Sequence, residues 1–217
     1  MSDPNGSRAD LSETVGTYES VAEEYERRHG DRSVVRDQRQ LFLDALDPSP
    51  GGSGERPRVL DAGCGPGWES AAFADRGCSV LAVDVTRAFL AQTRDRIERE
   101  GVPAEAAGMD MRRLGVRDDA LDGVWACASF LHVPREEAPG TLAEFARVLR
   151  PGGALLLAVK RGSGVLESSA YDGDSRRFVL YEPDEIRGLV EDAGFEVEFR
   201  EVGEGEGQEW IVLLARA

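Results

Sequence analysis

The sequence is poor in lysine, histidine and cysteine, and each shortage narrows what the chain can do. Lys160 is the only lysine among 217 residues, so 25 of the 26 basic side chains are arginines. Against them stand 41 Asp and Glu, giving a formal net charge of −15. A field of that sign repels polyanions and disfavours nucleic acid as a partner. Two origins fit the bias. One is a salt-rich cell interior, where counter-ions screen the repulsion of an acidic, halophile-like surface. The other is a GC-rich genome that favours arginine. The three cysteines, Cys64, Cys78 and Cys127, are odd in number and contain no C-x-x-C pair. They imply neither a disulfide framework nor a zinc site, no metal is expected, and a reducing, cytoplasmic setting follows. The opening MSDPNGSRAD lacks the apolar stretch of a signal peptide. No apolar run approaches the ~20 residues of a membrane span.

What is present is a regular alternation of elements. Residues 1–10 read as a disordered polar tail. Leu11–Arg28 reads as helix, with Val15, Tyr18, Val21, Ala22 and Tyr25 at helical spacing and Gly30 able to stop it. A second helix is expected over Val34–Leu46, and Asp47–Pro57 (DPSPGGSGERP) reads as a linker. The N-terminal helices and linker thus occupy 11–57 and the core 58–217. Beyond the linker, strands are expected at Arg58–Asp61, Ser79–Asp84, Ala104–Ala107, Leu121–Ala126, Ala154–Val159, Phe195–Val202 and Trp210–Ala215. Helices are expected over Trp68–Arg76, from an N-cap at Thr86 through Glu100, over Arg135–Arg150 and over Pro183–Ala193, with a polar loop across Arg161–Arg177. Strand and helix in alternation argue a doubly wound, largely parallel sheet, an α/β fold.

The first strand runs into Asp61-Ala62-Gly63-Cys64-Gly65-Pro66-Gly67, and a helix follows. Glycines there admit positive φ and a close backbone approach to a ligand. A dinucleotide site wants G-x-G-x-x-G, but Trp68 stands where the third glycine belongs. Asp61 would also set a carboxylate near two phosphates. S-adenosylmethionine carries no phosphate, and its ammonium and sulfonium suit an acid at Asp61. Asp84 closes the second strand, where an acidic residue accepts from both ribose hydroxyls; alone it fits NAD equally well. Asp110, in Gly108-Met109-Asp110-Met111, follows the third strand and could accept from an adenine amine with Met111 on the ring face. Alone it would pass for a turn former. Their order along one βαβαβ run is what makes the set specific.

On VLDAGCGPG, LAVDVT, GMDM, LDGVWACASFLHV and FARVLRPGGALLLAV, the chain resembles the class I S-adenosylmethionine-dependent methyltransferase family, in particular its small-molecule members. EIRGLVEDAGFEVEF and EWIVLLARA resemble that family's last helix and last two strands. The resemblance implies a seven-stranded, Rossmann-like sheet of order 3-2-1-4-5-7-6 with strand 7 antiparallel. It implies that Asp61, Gly63, Cys64, Gly65 and Gly67 line the methionine portion of the cofactor, with Cys127, Ala128 and Ser129 near the same end. Asp84 would bind ribose, Val85 would lie beside adenine, and Asp110 and Met111 would hold it. Tyr18-Glu19-Ser20-Val21-Ala22-Glu23-Glu24-Tyr25 resembles the family's Y-D-x-x-A-x-x-Y segment, which folds over the cofactor as a lid. Here Glu19 stands where Asp is usual, while Tyr18 and Tyr25 keep their spacing. The two tyrosines also suit plain packing of an amphipathic helix.

Methyl transfer requires alignment of acceptor and methyl group, and a base only if the acceptor arrives protonated. His132 lies just past the fourth strand, where the family places its acceptor. It is the one candidate catalytic residue, as a base or an orienting group, or it merely packs beside the cofactor. No N-P-P-Y type motif follows that strand. Lys160, Arg161, Arg176 and Arg177 flank the following loop, either to bind an acidic acceptor or to form ion pairs. Three functions stay open: a methyltransferase acting on a small molecule, one acting on RNA or protein, and a non-catalytic S-adenosylmethionine-binding regulatory protein.

Overall fold

The computed structural model describes residues 6–46, 56–168, 170–171, 175–205 and 207–217, with side-chain surroundings from residue 12 onward. Its centre is strand β1 (Arg58–Ala62), buried from Val59 to Ala62. β1 pairs in parallel with β2 (Ser79–Asp84) on one side and β4 (Leu121–Cys127) on the other. β3 (Ala104–Gly108) lies outside β2, and β5 (Leu149–Lys160) continues the sheet beyond β4. β9 (Gln208–Arg216) runs antiparallel to β5 and carries β8 (Glu196–Gly205) at the edge. The order is β3-β2-β1-β4-β5-β9-β8, the arrangement implied by the resemblance once one inserted hairpin is set aside.

That hairpin corrects the polar loop expected over Arg161–Arg177. β6 (Val165–Ser168) and β7 (Arg176–Val179) form a separate two-stranded sheet. Gly162, Gly164 and Gly173 hid it, because short strands beside glycines read as loop. Phe178 and Val179 bury their side chains, which a surface loop would not require. The helix expected over Arg135–Arg150 opens as a 3-10 turn at Arg135–Glu137, becomes α5 over Ala138–Val148, and yields Leu149 to β5, where it pairs with Leu121. At the other end, α1 spans Gly6–His29, so Gly6–Asp10 are helical rather than part of a disordered tail. Residues 1–5 of that tail and 47–55 of the linker lie outside the described residues.

Helices α3 (Trp68–Asp75), α4 (Arg87–Glu100), α5 and α6 (Pro183–Asp192) connect the strands, and the apolar faces of the sheet make two cores. α2 (Arg36–Leu46) covers one of them. Its Phe42 is fully buried against Phe73 and Trp125, at ring-centroid distances of 5.3 and 5.5 Å. Gly123 of β4 makes this approach possible: a Cβ there would stand 2.7 Å from the Phe42 ring and 2.6 Å from Leu46. Removing a buried aromatic leaves a cavity, and Phe→Ala changes cost about 3–5 kcal/mol. Phe42→Ala is therefore expected to destabilise the fold by about that amount in urea titrations. A loss under about 1 kcal/mol would mean α2 is not part of the core.

Candidate active site

The loop between β1 and α3 is held against β2 by its backbone. The N–H groups of Gly63 and Cys64 both donate to the Val83 carbonyl, at 2.8 and 3.0 Å. Gly63, Gly65 and Gly67 have φ of 75°, 52° and 78°, which side chains resist. Space forbids them too at two positions. A Cβ on Gly63 would fall 2.4 Å from that of Ser129, and one on Gly67 2.7 Å from Thr93 Cγ2. At Gly65 nothing lies within 4 Å, because the backbone there borders a cavity.

That cavity sits at the carboxyl ends of β1, β2 and β4, the usual crevice of an open α/β sheet. The structure brings Tyr18, Tyr25, Gly63, Gly65, Asp84, Val85, Asp110, Met111, Ala128, Ser129 and His132 together in its lining. Four expected residues stand off it. Asp61 is buried behind the loop, where its carboxylate accepts from Ser70 Oγ at 2.5 Å. Cys64 turns into a small core beside Thr93, and Gly67 caps α3 against the same threonine. Cys127 packs with the core under α2. Asp61 and Cys127 lie within β1 and β4, where alternate residues face opposite sides of the sheet, and Cys64 and Gly67 face Thr93 of α4 instead of the cavity.

Asp84 binds the loop as well as facing the cavity. Its Oδ2 accepts from Gly65 N–H at 3.0 Å and its Oδ1 from Thr86 N–H at 2.8 Å, while burial raises its pKa. Asp110 is clamped by Arg112, whose Nε lies 3.0 Å from both carboxylate oxygens and whose Nη2 lies 2.6 Å from Oδ2. Burial alone would raise the Asp110 pKa; the hydrogen bonds from Arg112 outweigh it and hold it below the ordinary value. Arg112 in turn reaches Glu137 at 2.6 Å.

His132 has a defined tautomer. Its Nδ1 lies 2.9 Å from the Arg177 carbonyl, which only accepts, so Nδ1 carries the proton. Nε2 is then an acceptor and takes a hydrogen bond from the Tyr18 hydroxyl at 3.1 Å. Burial pushes the His132 pKa down to about 4, so the ring is neutral near pH 7.

α1 lies across the cavity mouth and is fastened at both ends. Glu19 caps the start of α4, accepting from Arg87 N–H at 2.6 Å and Ala88 N–H at 3.0 Å. Arg96 of α4 joins Glu26 of α1 at 2.6 Å and the Pro66 carbonyl of the loop at 3.0 Å. Trp68, the residue that replaced a third glycine, stacks on Tyr25 at 6.0 Å and carries the Arg32 guanidinium over its ring at 4.9 Å. Tyr18 and Tyr25 both pack on Phe89 while lining the cavity, so packing and site geometry are one arrangement here.

Thr14, Val15, Thr86, Phe89, Met109, Arg112 and Val133 also line the cavity and were not foreseen. Thr86 and Phe89 had a signal, since they open the helix after Asp84; Arg112 had none, as no spacing rule pairs an acid with the arginine two places on. Among the four basic residues flanking the hairpin, Arg161 pairs with Glu182 and Glu209 at 3.5 and 3.0 Å. The buried Arg176 guanidinium sits over the rings of Tyr18, Tyr171 and Phe178 at 5.4, 4.6 and 5.5 Å. Lys160 Nζ lies 4.0 Å from the Phe178 ring centroid, and Arg177 contributes the carbonyl that fixes His132. Among the described residues no cluster of His, Cys, Asp and Glu could hold a metal, and no helix is long and apolar enough to cross a membrane.

A seven-stranded sheet of this order, with a glycine loop after β1 and carboxylates after β2 and β3, defines the class I methyltransferase fold. Residues 59–153 match the family model of the methyltransferase domain. Methyltransferase GfsG of Streptomyces halstedii is 38% identical over 129 residues, covering 57% of this chain and 44% of that protein. The 1,6-didemethyltoxoflavin-N1-methyltransferase of Burkholderia thailandensis, solved with 1,6-didemethyltoxoflavin and S-adenosylhomocysteine, superposes with a TM-score of 0.80 at 21% identity. The match covers 100% of this chain and 91% of that one. The [4+2]-cyclase SpnF shares the fold at a TM-score of 0.63 and 20% identity, over 82% of this chain and 80% of that one. Over residues 59–153 the chain carries a methyltransferase domain, set in the fold of the S-adenosylmethionine-dependent methyltransferases. It spans about half or less of the length of the first curated relatives, between 34% and 58%.

The buried Asp61 makes a pH prediction. Burial, opposed by the Ser70 hydrogen bond and aided by Glu69 and Asp84, lifts its pKa from 3.8 to about 7. The folded state therefore holds this proton more tightly than the unfolded chain does. Its contribution to stability declines as pH rises from about 4 to about 7 and is level above that. Asp61→Asn should flatten that part of the curve when stability without added ligand is followed by urea titration across pH. An unchanged slope would show that Asp61 titrates in the folded chain where it does in the unfolded one.

Proposed function

We propose that this protein transfers the methyl group of S-adenosylmethionine to a small-molecule acceptor. The observation that carries the proposal is the junction at which Gly65 N–H and Thr86 N–H fix the Asp84 carboxylate on the cavity wall. Two oxygens held in place beside open glycine backbone suit a ribose diol, and no part of that junction is shaped for a pyrophosphate. In this reading Asp84 holds the ribose, and Val85, Asp110 and Met111 hold the adenine. Gly63, Gly65, Ala128 and Ser129 border the methionine portion; Asp61, Cys64, Gly67 and Cys127 support the loop and strand ends from behind. Bound S-adenosylmethionine supplies an electrophilic methyl group on a sulfonium. The chain's own residues position the acceptor, exclude water and manage protons.

Of the lid expected over 11–57, α1 is the part that fills that role in this proposal, since its Thr14, Val15, Tyr18 and Tyr25 line the cavity while α2 packs into the core. The lid places the Tyr18 hydroxyl on His132 Nε2, so the one imidazole lone pair that faces the cavity is an acceptor. An acceptor hydroxyl or amine that replaces Tyr18 there would give its proton to a neutral, oriented histidine. The acidic net charge, and a lining whose basic residue among those described is Arg112, itself paired with Asp110 and Glu137, favour a small molecule over RNA or protein. The cyclase SpnF, on the same fold, is the specific reason to keep a second reading in which the chain binds the cofactor without transferring its methyl group.

The cofactor site is tested directly. S-Adenosylhomocysteine should raise the melting temperature, and Asp84→Ala should weaken its binding by about tenfold or more in calorimetry. Unchanged affinity in the variant would refute the assignment of β2. With tritiated S-adenosylmethionine and a cell extract, label in a small product supports the proposal. Label in RNA or protein supports a macromolecular acceptor, and none supports the binding protein.

The histidine has its own signature. Because its pKa lies near 4, kcat/KM should stay level down to about pH 5 and fall only below it. A limb at the ordinary imidazole value of 6.5 would mean that His132 is exposed to water in the working enzyme.

A further inference from the structure

Outside the cavity, one other concave region gathers chemistry that the methyltransferase reading does not use. It lies between α2, the 3-10 turn that precedes it (Arg32–Val35) and the end of α3. Four of its lining side chains are guanidiniums: Arg32, Arg36, Arg39 and Arg76. This is a concentration of positive charge on a chain whose net charge is −15.

The carboxylates nearby do not neutralise it. Glu69, buried at 5% exposure, is shared by two of the arginines: Oε1 faces Arg32 Nε and Oε2 faces Arg39 Nε, each at 3.0 Å. Oε1 accepts a hydrogen bond from Arg32, while Oε2 meets Arg39 as an ion pair without a hydrogen bond of good geometry. Asp31 lines the cleft but spends Oδ1 on the Ser33 N–H at 2.9 Å. Among the described residues, Arg36 and Arg76 make no ion pair, and Arg39 Nε is a buried donor without a hydrogen bond of good geometry. Four cations against two anions leave the cleft with a surplus of two positive charges. Arg32 and Arg39 are partly buried while Arg36 and Arg76 are exposed beside them, and a bound anion would relieve the mutual repulsion of the four cations in this concave region.

Guanidinium forks match the oxygens of a tetrahedral oxyanion two at a time, which ammonium groups do not. We infer that the cleft of Arg32, Arg36, Arg39 and Arg76 is a binding site for a phosphate group, free or carried on a small ligand. The site is local, while the field of the whole chain opposes long polyanions; that difference selects a small phosphate over a nucleic acid. It stands apart from the proposed methyl transfer: Arg36 and Arg76 touch nothing in the cofactor cavity, and either assignment can fail alone.

The test uses the full chain with inorganic phosphate and pyrophosphate as probes, at constant ionic strength set with chloride. Phosphate should raise the melting temperature in a saturable way, and pyrophosphate should do so at lower concentration if the group is carried on a larger ligand. The double variant Arg36→Gln/Arg76→Gln should lower phosphate affinity by about tenfold or more. It should keep the melting temperature without phosphate and the affinity for S-adenosylhomocysteine. Gln40→Glu, which adds a carboxylate to the same lining, should weaken phosphate likewise without removing any arginine. Equal effects of chloride and phosphate, full phosphate affinity in both variants, or binding of an RNA oligomer without binding of free phosphate would each overturn the inference.

Discussion

The site depends on the seam between β1 and β2. Val83 presents one carbonyl to two loop N–H groups, and Asp84, the next residue, presents a carboxylate to a third at Gly65. Adjacent residues of one strand thus fix the loop's backbone and set the acid that faces the cavity. The glycines follow from this seam. A loop tied down so tightly must turn through positive φ, and at Gly63 and Gly67 there is no room for a side chain. Ser129 completes the seam from β4, its hydroxyl donating to the Ala62 carbonyl at 2.5 Å. Each strand end therefore supports the loop before it can serve a ligand.

The lid is built differently. The loop is fastened by buried backbone bonds, whereas α1 and the turn after it are fastened largely by charge: Glu19 on the amides of α4, Glu26 on Arg96, and Arg32 of the turn over Trp68. Partly exposed ion pairs contribute about 0–1 kcal/mol each and weaken with salt. An acidic chain that works in concentrated salt would need apolar contact beneath such pairs. The Tyr18, Tyr25 and Phe89 cluster provides it, with ring centroids 5.2 to 5.5 Å apart. Core, loop and lid thus form a gradient from backbone bonds through aromatic packing to screened charge.

How much was legible in the sequence follows the same gradient. Every strand of the main sheet was expected close to its observed place, because buried parallel strands and their glycine punctuation leave strong local patterns. Gly63, Gly65, Asp84 and Asp110 could be picked out because strand ends fix where a residue points. Asp61, Cys64, Gly67 and Cys127 could not be separated from their cavity-lining neighbours. That distinction rests on which way a single side chain turns, and the primary sequence does not carry it across a tight loop. The β6–β7 hairpin was missed because its strands are four residues each and its register is set by tertiary contact with α1 and Tyr181. Arg112 was missed because its clamp on Asp110 is a matter of rotamer. Glu19 was seen but undervalued. As a departure from the usual Asp it has one more methylene, and in this chain it spans to two amides of α4.

The two halves of the cavity therefore differ in the kind of information that builds them. The half bordered by β1, β2 and β3 is made of backbone N–H groups and strand-end acids, so a few residue types at fixed spacing define it. The half bordered by His132 and Tyr18 is made of side chains from distant segments: the histidine's tautomer is set by a hairpin carbonyl 45 residues away, and its acceptor nitrogen is met by a tyrosine 114 residues away. Arg176 adds a buried cation within a box of aromatic rings. Such a surface can change its chemistry by exchanging one side chain without disturbing the sheet. In the proposed reaction the first half would meet the methyl donor, and the second half, set by a helix and a hairpin outside the sheet, would meet the acceptor.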